Sequence, residues 1–400
     1  MAGESFVAPQ PRPAPERAPG WRERWWALRD RLLARPGFRR AAARFPLTRP
    51  LARRRARELF DLVAGFVYSQ VLSACVQLRL FDLLAASPQT GAALAARCGL
   101  DEAAMLRLLE AAESLRLVQR RGGGRWGLGE LGAPLVANEA IAALVEHHAA
   151  LYADLRDPLA LLRAGRPQAA PGTGPGGALA RYWPYAAYEA PERLAGAHVA
   201  AYSTLMTASQ PLVADEILGA YPVARHRCLL DVGGGEGLFL VRAAERAPGL
   251  RLMLFDLPAV AERARLRLAQ AGLAGRASVH GGDFRSTPLP RGADLITLVR
   301  VVHDHDDETA LGLLRAAFEA LPEGGVLLLA EPMAGTAGAQ AMGAAYFGFY
   351  LLAMGRGRPR TAQQLEALLR QAGFTQVRPL ATALPLQTRV LRARRAAPAA

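Results

Sequence analysis

The sequence predicts a two-domain α/β protein, in which an α-helical winged-helix domain precedes a doubly wound, Rossmann-like domain. Three observations predict it: a length of 400 residues, a helix–turn–helix pattern with a glycine-rich hairpin, and a strand–glycine turn–helix–strand unit after Arg227. A chain of this length accommodates two or three domains. We expect a basic arm over 1–57, a winged-helix domain over 58–165 and a cofactor-binding domain over 179–395.

The N-terminal arm carries most of the positive charge. The formal net charge is +14, and residues 11–60 contain fifteen arginines against four acidic residues. Because every basic residue is arginine and none is lysine, we attribute the overall bias to GC-rich coding and not to phosphate binding. Within 21–33, tryptophans and leucines are interspersed with arginines at helical spacing, which suits an anionic membrane surface. A helix packed on the protein itself is the alternative.

Two sequence features favour a cytoplasmic location, with peripheral contact at the inner membrane surface as an option. No apolar run reaches the roughly 18 to 20 residues that a membrane span needs. The Pro- and Arg-rich beginning lacks the apolar segment of a secretory signal. Cys75, Cys98 and Cys228 lie far apart in largely apolar stretches, which is typical of buried thiols.

A winged-helix pattern follows the arm. Apolar periodicity predicts a long helix over 59–84 and two shorter helices over 90–98 and 101–115. Two strand-like stretches around a glycine triplet then predict a hairpin over 117–128. Helix, turn, helix and a glycine-tipped hairpin together make a winged helix.

Winged helices often bind DNA, but the helix that would read DNA here is acidic. It carries Glu102, Glu110 and Glu113 against the single Arg107. A phosphate backbone would be repelled by such a surface. We therefore predict a pairing or lid domain and no nucleic-acid partner.

The second domain opens on a glycine-rich turn. The stretch after Arg227, CLLDVGGGEGLFLVRAAERAPGLRLMLFDLP, reads as a buried strand, a glycine turn, a helix and a second strand. Gly233, Gly235 and Gly237 allow close approach of a ligand, and the helix after them presents free N–H groups. Asp256, followed by Leu257, ends the second strand, where a carboxylate accepts hydrogen bonds from ribose hydroxyls.

The charge around this turn favours S-adenosylmethionine over a dinucleotide. The spacing is GGGEG instead of G-x-G-x-x-G, and Asp231 stands two residues before the first glycine, where it faces a cationic ammonium better than a pyrophosphate. After a third strand over 277–281, Asp283 is placed to bond the adenine amino group and Phe284 to pack on its ring. Arg300, after the fourth strand, is assigned to the same cofactor. A domain whose glycines only make turns is the alternative.

The candidate catalytic residues follow the fourth and fifth strands. His303 lies in the run HDHDDE, at the carboxyl ends of the strands, where neutral imidazole is suited to accept a hydroxyl proton. An ordinary loop histidine is the alternative. Contiguous ligands on one short segment do not easily surround an ion, so we predict no metal. Glu331 ends the fifth strand and either orients His303 or is a plain strand-end acid.

These motifs match a family. DVGGGEG, FDLP, GGDF, HDHDD and LLLAEPM resemble the plant-type O-methyltransferases, over residues 58–393. The resemblance implies a class I methyltransferase domain, a winged-helix domain that forms an intertwined homodimer, and His303 as general base between two glutamates. Glu331 matches the first glutamate, whereas the second falls at Pro359. A lysine that the family often has near the adenine corresponds to Val299.

Two longer stretches are closer to one branch of that family. RFPLTRPLARRRARELFDLVAGFVYSQVLSACVQLRLFDLL and YFGFYLLAMGRGRPRT resemble the bacterial hydroxyneurosporene, or demethylspheroidene, O-methyltransferases. The resemblance implies methylation of the tertiary C1 hydroxyl of an acyclic carotenoid. It also implies a substrate wall that includes Tyr346, Phe347 and Tyr350, and we assign Met206 to the substrate as well.

Two other functions remain compatible with the residues. An O-methyltransferase for a phenolic or polyketide natural product would differ only in its substrate pocket. A DNA-binding regulator that senses S-adenosylmethionine would use the winged helix and the positive charge, although His303 and the acidic helix argue against it.

Overall fold

The computed structural model describes residues 20–165, 177–182, 210–385 and 388–396. Met206 lies outside the described residues, so its assignment to the substrate stays a prediction. The chain divides into two compact units, Met1–Leu72 and Ser73–Ala400.

The first unit consists of exposed helices. They are α1 (Trp21–Ala34), α2 (Pro36–Arg44) and most of α3 (Arg49–Gln77). Helix α1 confirms the helix predicted over 21–33, and none of residues 20–72 is buried in this chain. An 18-residue window of α3 has a mean hydropathy of 1.6, so length and composition alone would allow it to cross a membrane. Single polar residues interrupt the apolar stretch of this helix, so the sequence pattern did not single it out as a possible span.

The second unit begins with a winged-helix arrangement. Its elements are α4 (Leu80–Ala86), β1 (Gln89–Thr90), α5 (Gly91–Cys98), α6 (Glu102–Ser114), β2 (Val118–Arg121) and β3 (Arg125–Leu128). Strands β2 and β3 pair in antiparallel register from Val118↔Leu128 to Arg121↔Arg125, which confirms the hairpin. The prediction of one helix over 59–84 is wrong, because Arg79 adopts a left-handed φ of 51° and separates α3 from α4.

The acidic side of α6 faces the hairpin. Arg120 of β2 forms ion pairs with Glu110, at 3.2 Å, and with Glu113, at 3.0 Å. Its guanidinium also lies 4.4 Å from the ring centroid of the buried Trp126. Two of the three acids that argued against DNA binding, Glu110 and Glu113, therefore hold the hairpin on the helix.

Further helices connect the winged helix to the sheet. They are α7 (Glu139–Asp154), α8 (Pro158–Ala164), the short α9 (Ala178–Tyr182) and α10, over 210–220. Asn138 and Asp157 cap α7 and α8 by accepting hydrogen bonds from Ile141 and Ala160. Such caps satisfy N–H groups that the helix leaves unpaired.

A seven-stranded sheet forms the centre of the second domain. Its strands are β4 (Cys228–Val232), β5 (Arg251–Asp256), β6 (Ala277–Gly281), β7 (Leu295–Val299), β8 (Val326–Glu331), β9 (Thr375–Leu380) and β10 (Arg389–Arg394). The order is β6-β5-β4-β7-β8-β10-β9. The first five strands are parallel, and β10 is antiparallel to both of its neighbours. The predicted Rossmann-like domain is confirmed.

Helices cover both faces of this sheet. They are α11 (Leu238–Arg246), α12 (Pro258–Gln270), α13 (Asp307–Ala320) and α15 (Ala362–Gln371). The remaining helix, α14 (Phe347–Met354), packs on α7, α8 and α9 instead. Every residue of β4, β7 and β8 is buried, as expected of central parallel strands that are apolar on both faces. The carboxyl ends of β4, β5, β7 and β8 meet at one edge of the sheet, where open α/β sheets bind their ligands.

Candidate active site

The glycine turn after β4 has the backbone conformation that only glycine adopts without strain. Gly233 and Gly237 have φ angles of 69° and 82°. A Cβ atom on Gly233 would lie 2.7 Å from the Cγ2 atom of Val301, in the turn after β7. The turn therefore packs tightly against the segment that carries the catalytic candidate. Gly235, which is also left-handed, donates its N–H to Asp256 at 2.8 Å.

Asp231 is a buried carboxylate with one oxygen satisfied. The hydroxyl of Thr297 donates to its Oδ1 atom at 2.6 Å, whereas Oδ2 has no hydrogen-bond partner among the described residues. Burial raises the pKa of Asp231 to about 7, although the hydrogen bond from Thr297 lowers it. A buried oxygen without a partner is costly. A cationic ammonium group would compensate for this cost, so the site fits the methionine end of S-adenosylmethionine.

Asp256 lies where the ribose was expected. Its Oδ1 and Oδ2 atoms accept the N–H groups of Leu257, at 2.7 Å, and of Gly235. Burial raises its pKa to about 6, and these backbone hydrogen bonds oppose the rise. Asp256 is only half-buried, and each carboxylate oxygen accepts more than one hydrogen bond. Its predicted contact with the ribose is therefore compatible with this geometry.

The adenine candidates lie on the loop after β6. Asp283 is paired with Arg285 at 2.6 Å. Burial disfavours its charged form, but the hydrogen bonds from Arg285 outweigh burial and hold the pKa of Asp283 below its ordinary value. The ring of Phe284 lies 5.1 Å from that of His305, edge to face. Because Arg285 already engages Asp283, the hydrogen bond from the adenine amino group to Asp283 stays a prediction. The stacking of the adenine ring on Phe284 stays a prediction as well.

Arg300 occupies a strained position at the end of β7. Its φ is 58°, a conformation that non-glycine residues rarely adopt, and its N–H donates to Ala330 at 2.8 Å. Its positive charge lowers the pKa of both His303 and Tyr346, although it is not the largest influence on either. Arg300 is thus near both candidates, and its role in cofactor binding stays a prediction.

Glu331 accepts three hydrogen bonds from the turn that carries His303, one of them from the imidazole itself. Its Oε2 atom accepts the Nδ1–H group of His303. Its Oε1 atom accepts the backbone N–H groups of Val301, at 3.1 Å, and Val302, at 2.8 Å. One buried carboxylate therefore fixes both the imidazole and the turn that carries it, and Nε2 is the ring nitrogen that Glu331 does not engage.

Asp304 lies on the other side of the imidazole. Its Oδ1 atom is 3.1 Å from Nε2 of His303. Burial disfavours the imidazolium, but Asp304 and Glu331 outweigh burial, and the pKa of His303 lies above its ordinary value. The two carboxylates are therefore suited to stabilise the protonated ring that follows proton abstraction.

The segment expected to supply a second glutamate supplies an arginine instead. Arg360 is 2% exposed and donates to the carbonyl oxygens of Val302, at 2.9 Å, and of His305, at 2.8 Å. It also pairs with Asp307 at 2.7 Å. Two carbonyls that flank His303 are thus held by one guanidinium, one residue after Pro359.

An aromatic wall lies beside the catalytic histidine. A π-helical turn over Ala341–Tyr346 precedes α14, and such turns are frequent at functional sites. The ring centroid of Phe347 lies 6.1 Å from that of His303, and that of Tyr346 lies 5.1 Å from Phe347. Tyr350 lies 5.8 Å from Tyr346. The three predicted substrate residues therefore form one contiguous cluster of rings that reaches the candidate base.

A buried base beside a glycine turn, a buried acid with one unpartnered oxygen, and a sheet of this strand order together define a class I, S-adenosylmethionine-dependent methyltransferase. Residues 178–375 match the model of the O-methyltransferase domain, and residues 60–138 match that of the O-methyltransferase dimerisation domain. The chain belongs to this O-methyltransferase family. The dimerisation domain supports a homodimer.

Two relatives extend over most of the chain. A demethylspheroidene O-methyltransferase of Cereibacter sphaeroides is 46% identical over 348 residues, which cover 87% of this chain and 89% of the relative. A demethylspheroidene O-methyltransferase of Rhodobacter capsulatus is 40% identical and covers 88% and 85%. The crystal structure of the S-adenosylmethionine-dependent methyltransferase SibL superposes with a TM-score of 0.70 at 25% identity, covering 85% of this chain and 99% of SibL.

Several residues of the site were not anticipated from the sequence. Thr297 is the only hydroxyl-bearing residue of β7 and could have been singled out. Asp304 lies within the run HDHDDE, but the run alone does not show that its carboxylate faces His303. Arg360 gave no signal, because its partners, two carbonyl oxygens and the Asp307 carboxylate, are more than fifty residues away.

Proposed function

We propose that this enzyme methylates the tertiary C1 hydroxyl of an acyclic carotenoid of the demethylspheroidene or hydroxyneurosporene type. The observation that carries the proposal is the identity of 46% and 40% to two demethylspheroidene O-methyltransferases along most of each chain. The aromatic wall of Tyr346, Phe347 and Tyr350 supports it, since an acyclic polyene offers carbon surface and little else to bind.

The residues of the site suit this reaction. S-adenosylmethionine would supply an electrophilic methyl group, and its sulfur would be the leaving group as the carbon–sulfur bond breaks. A tertiary alcohol is too weak an acid to ionise beforehand, so His303 accepts the hydroxyl proton at Nε2 while the new oxygen–carbon bond forms. Glu331 and Asp304 then stabilise the imidazolium. Holding the reactants in line is expected to supply most of the acceleration.

A comparison of acceptors tests the proposal. Labelled methyl transfer from S-adenosylmethionine is measured to a detergent-dispersed 1-hydroxylated acyclic carotenoid, to a catechol and to a hydroxylated polyketide. We expect label in the carotenoid. Label only in the catechol or the polyketide would retain the methyltransferase and its base, but would replace the carotenoid by a phenolic or polyketide substrate.

We propose that α3 provides the surface for a second copy of the chain. The matched dimerisation region begins within this helix, at residue 60. Several large apolar side chains nearby are exposed, among them Leu62, which is 82% exposed. An apolar surface of this kind on a single chain is typical of a subunit interface. The exposed apolar residues are Leu59, Phe60, Leu62, Val63, Phe66 and Val67. Sedimentation equilibrium is expected to give twice the mass of 42.8 kDa; a monomer would contradict this assignment.

We further propose that α1 and α2 contact the cytoplasmic face of the inner membrane. Trp21, Trp25 and Trp26 are more than half exposed, and Phe38 is also exposed. Arginines are interspersed with them along 21–44. Aromatic side chains insert at the headgroup level, and arginines are attracted to anionic lipids. A carotenoid dissolved in the bilayer would be collected there.

A further inference from the structure

Two histidine–tyrosine hydrogen bonds join α7 to the aromatic wall. The Nε2 atom of His147 lies 2.7 Å from the hydroxyl of Tyr350, and that of His148 lies 2.7 Å from the hydroxyl of Tyr346. His147 and Tyr350 are both buried, and the other two residues are half-buried. The reaction described above uses neither histidine.

Both tyrosines belong to the cluster of aromatic rings that reaches His303. Tyr346 contacts Phe347, whose ring is edge to face with that of His303. Burial raises the pKa of Tyr346 to about 12, so its hydroxyl keeps its proton at neutral pH. Each phenol therefore brings one polar group to a wall that is otherwise made of carbon.

An apolar substrate cannot satisfy these hydroxyl groups. A polyene has no donor or acceptor along its length, and a buried hydroxyl without a partner is costly. The histidines provide the partner from within the protein. Both histidines are neutral when they do so. Burial lowers the pKa of His148, and burial together with the neighbouring His148 lowers the pKa of His147 to about 4.

We propose that His147 and His148 are specificity-determining residues, which engage the hydroxyls of Tyr350 and Tyr346 so that the wall presents carbon surface to the substrate. This inference rests on the proposed function, since it explains how the site prefers an apolar acceptor to a polar one. It assigns α7, which lies between the two matched family regions, to the substrate site of its own chain.

A double-mutant cycle tests the half-buried pair, His148 and Tyr346. His148→Phe leaves the Tyr346 hydroxyl without its partner, Tyr346→Phe leaves the imidazole without its partner, and the double variant removes both polar groups. We expect each single variant to lower kcat/KM for the hydroxycarotenoid by about tenfold, and the double variant to recover most of this loss. The KM for S-adenosylmethionine is expected to stay unchanged.

The decisive readout is the ratio of kcat/KM for the hydroxycarotenoid to that for a catechol. Only a role in selectivity predicts that His148→Phe lowers this ratio and that the double variant restores it; general destabilisation would lower both values together. Tyr152→Phe is the matched control, because this exposed ring also contacts His148, at 6.4 Å, and should leave the ratio unchanged.

The failures of the two proposals are distinguishable. If the unchanged enzyme methylates the hydroxycarotenoid but the ratio stays constant in both single variants, this inference is overturned and the proposed function stands. If the unchanged enzyme transfers no methyl to the hydroxycarotenoid, the proposed function fails and this inference fails with it.

Discussion

The Nδ1–H group of His303 donates to Glu331, a carboxylate that also accepts two backbone N–H groups of the catalytic turn. The acid therefore determines the orientation of the ring and the conformation of the loop at once. It also requires a protonated Nδ1 and leaves Nε2 of the neutral ring as a proton acceptor.

His303→Ala removes this acceptor. We expect turnover to fall by about 100-fold or more, the usual contribution of a general base, while the Kd for S-adenosylmethionine changes little. Single-turnover kinetics and titration calorimetry measure the two quantities. A variant with full turnover would show that His303 is not the base.

The activity is expected to depend on the protonation of His303. Because its pKa is raised and the base acts in the neutral form, kcat should decrease as the pH falls through a value above 6.5. Glu331→Gln removes one of the charges that raise the pKa. We expect its pH profile to shift to lower pH and its maximal kcat to fall by about tenfold or more. An unchanged profile in this variant would contradict the assigned partner.

We expect cofactor binding to depend on the protonation of Asp231. Its pKa of about 7 means that the free enzyme loses this negative charge as the pH falls below 7. We expect the Kd for S-adenosylmethionine to increase by about tenfold per pH unit there. Asp231→Asn should bind about 10- to 100-fold more weakly and lose this pH dependence. Thr297→Val removes a hydrogen bond that lowers the pKa of Asp231, so in this variant the Kd should begin to increase at a higher pH. Identical pH profiles of the Kd in the unchanged enzyme and both variants would refute the role of Asp231.

Arg360 is expected to position the catalytic turn without touching the substrate. Arg360→Met removes the guanidinium that donates to two carbonyl oxygens beside His303, so kcat should fall by about tenfold while the KM for S-adenosylmethionine stays within about twofold. Arg360→Lys keeps the charge but not the planar fork, and should be intermediate. Arg358→Met is the control, since Arg358 is half exposed and also pairs with Asp307. Equal losses in the Arg358 and Arg360 variants would argue against a specific role.

We expect α1 and α2 of the N-terminal arm to bind anionic membranes. The protein should cosediment with vesicles that contain phosphatidylglycerol, less so at high salt, and weakly with neutral phosphatidylcholine vesicles. Replacing Trp21, Trp25 and Trp26 by Ala should reduce binding. Leu266→Ala, at an exposed apolar residue of the second unit, should not. Equal binding to both kinds of vesicle would contradict the proposed contact.

The sequence predicted the parts of the site that depend on local order along the chain. The glycine turn, the acids at the ends of β4 and β5, and His303 after β7 follow from alternating strands and helices, which bring strand ends to one edge. Contacts between distant segments were not predictable in this way. The bonds from Arg360 to the catalytic turn and from α7 to Tyr346 and Tyr350 join residues about 50 to 200 positions apart, and no periodicity encodes them.

The identity of the methylated product tests the central claim most directly. The enzyme is incubated with S-adenosylmethionine and a 1-hydroxylated acyclic carotenoid, and the product is examined by mass spectrometry and carbon NMR. We predict a gain of one methyl group, as a methyl ether on the oxygen at C1. An unchanged carotenoid beside a methylated phenol in the same reaction would contradict the proposed substrate.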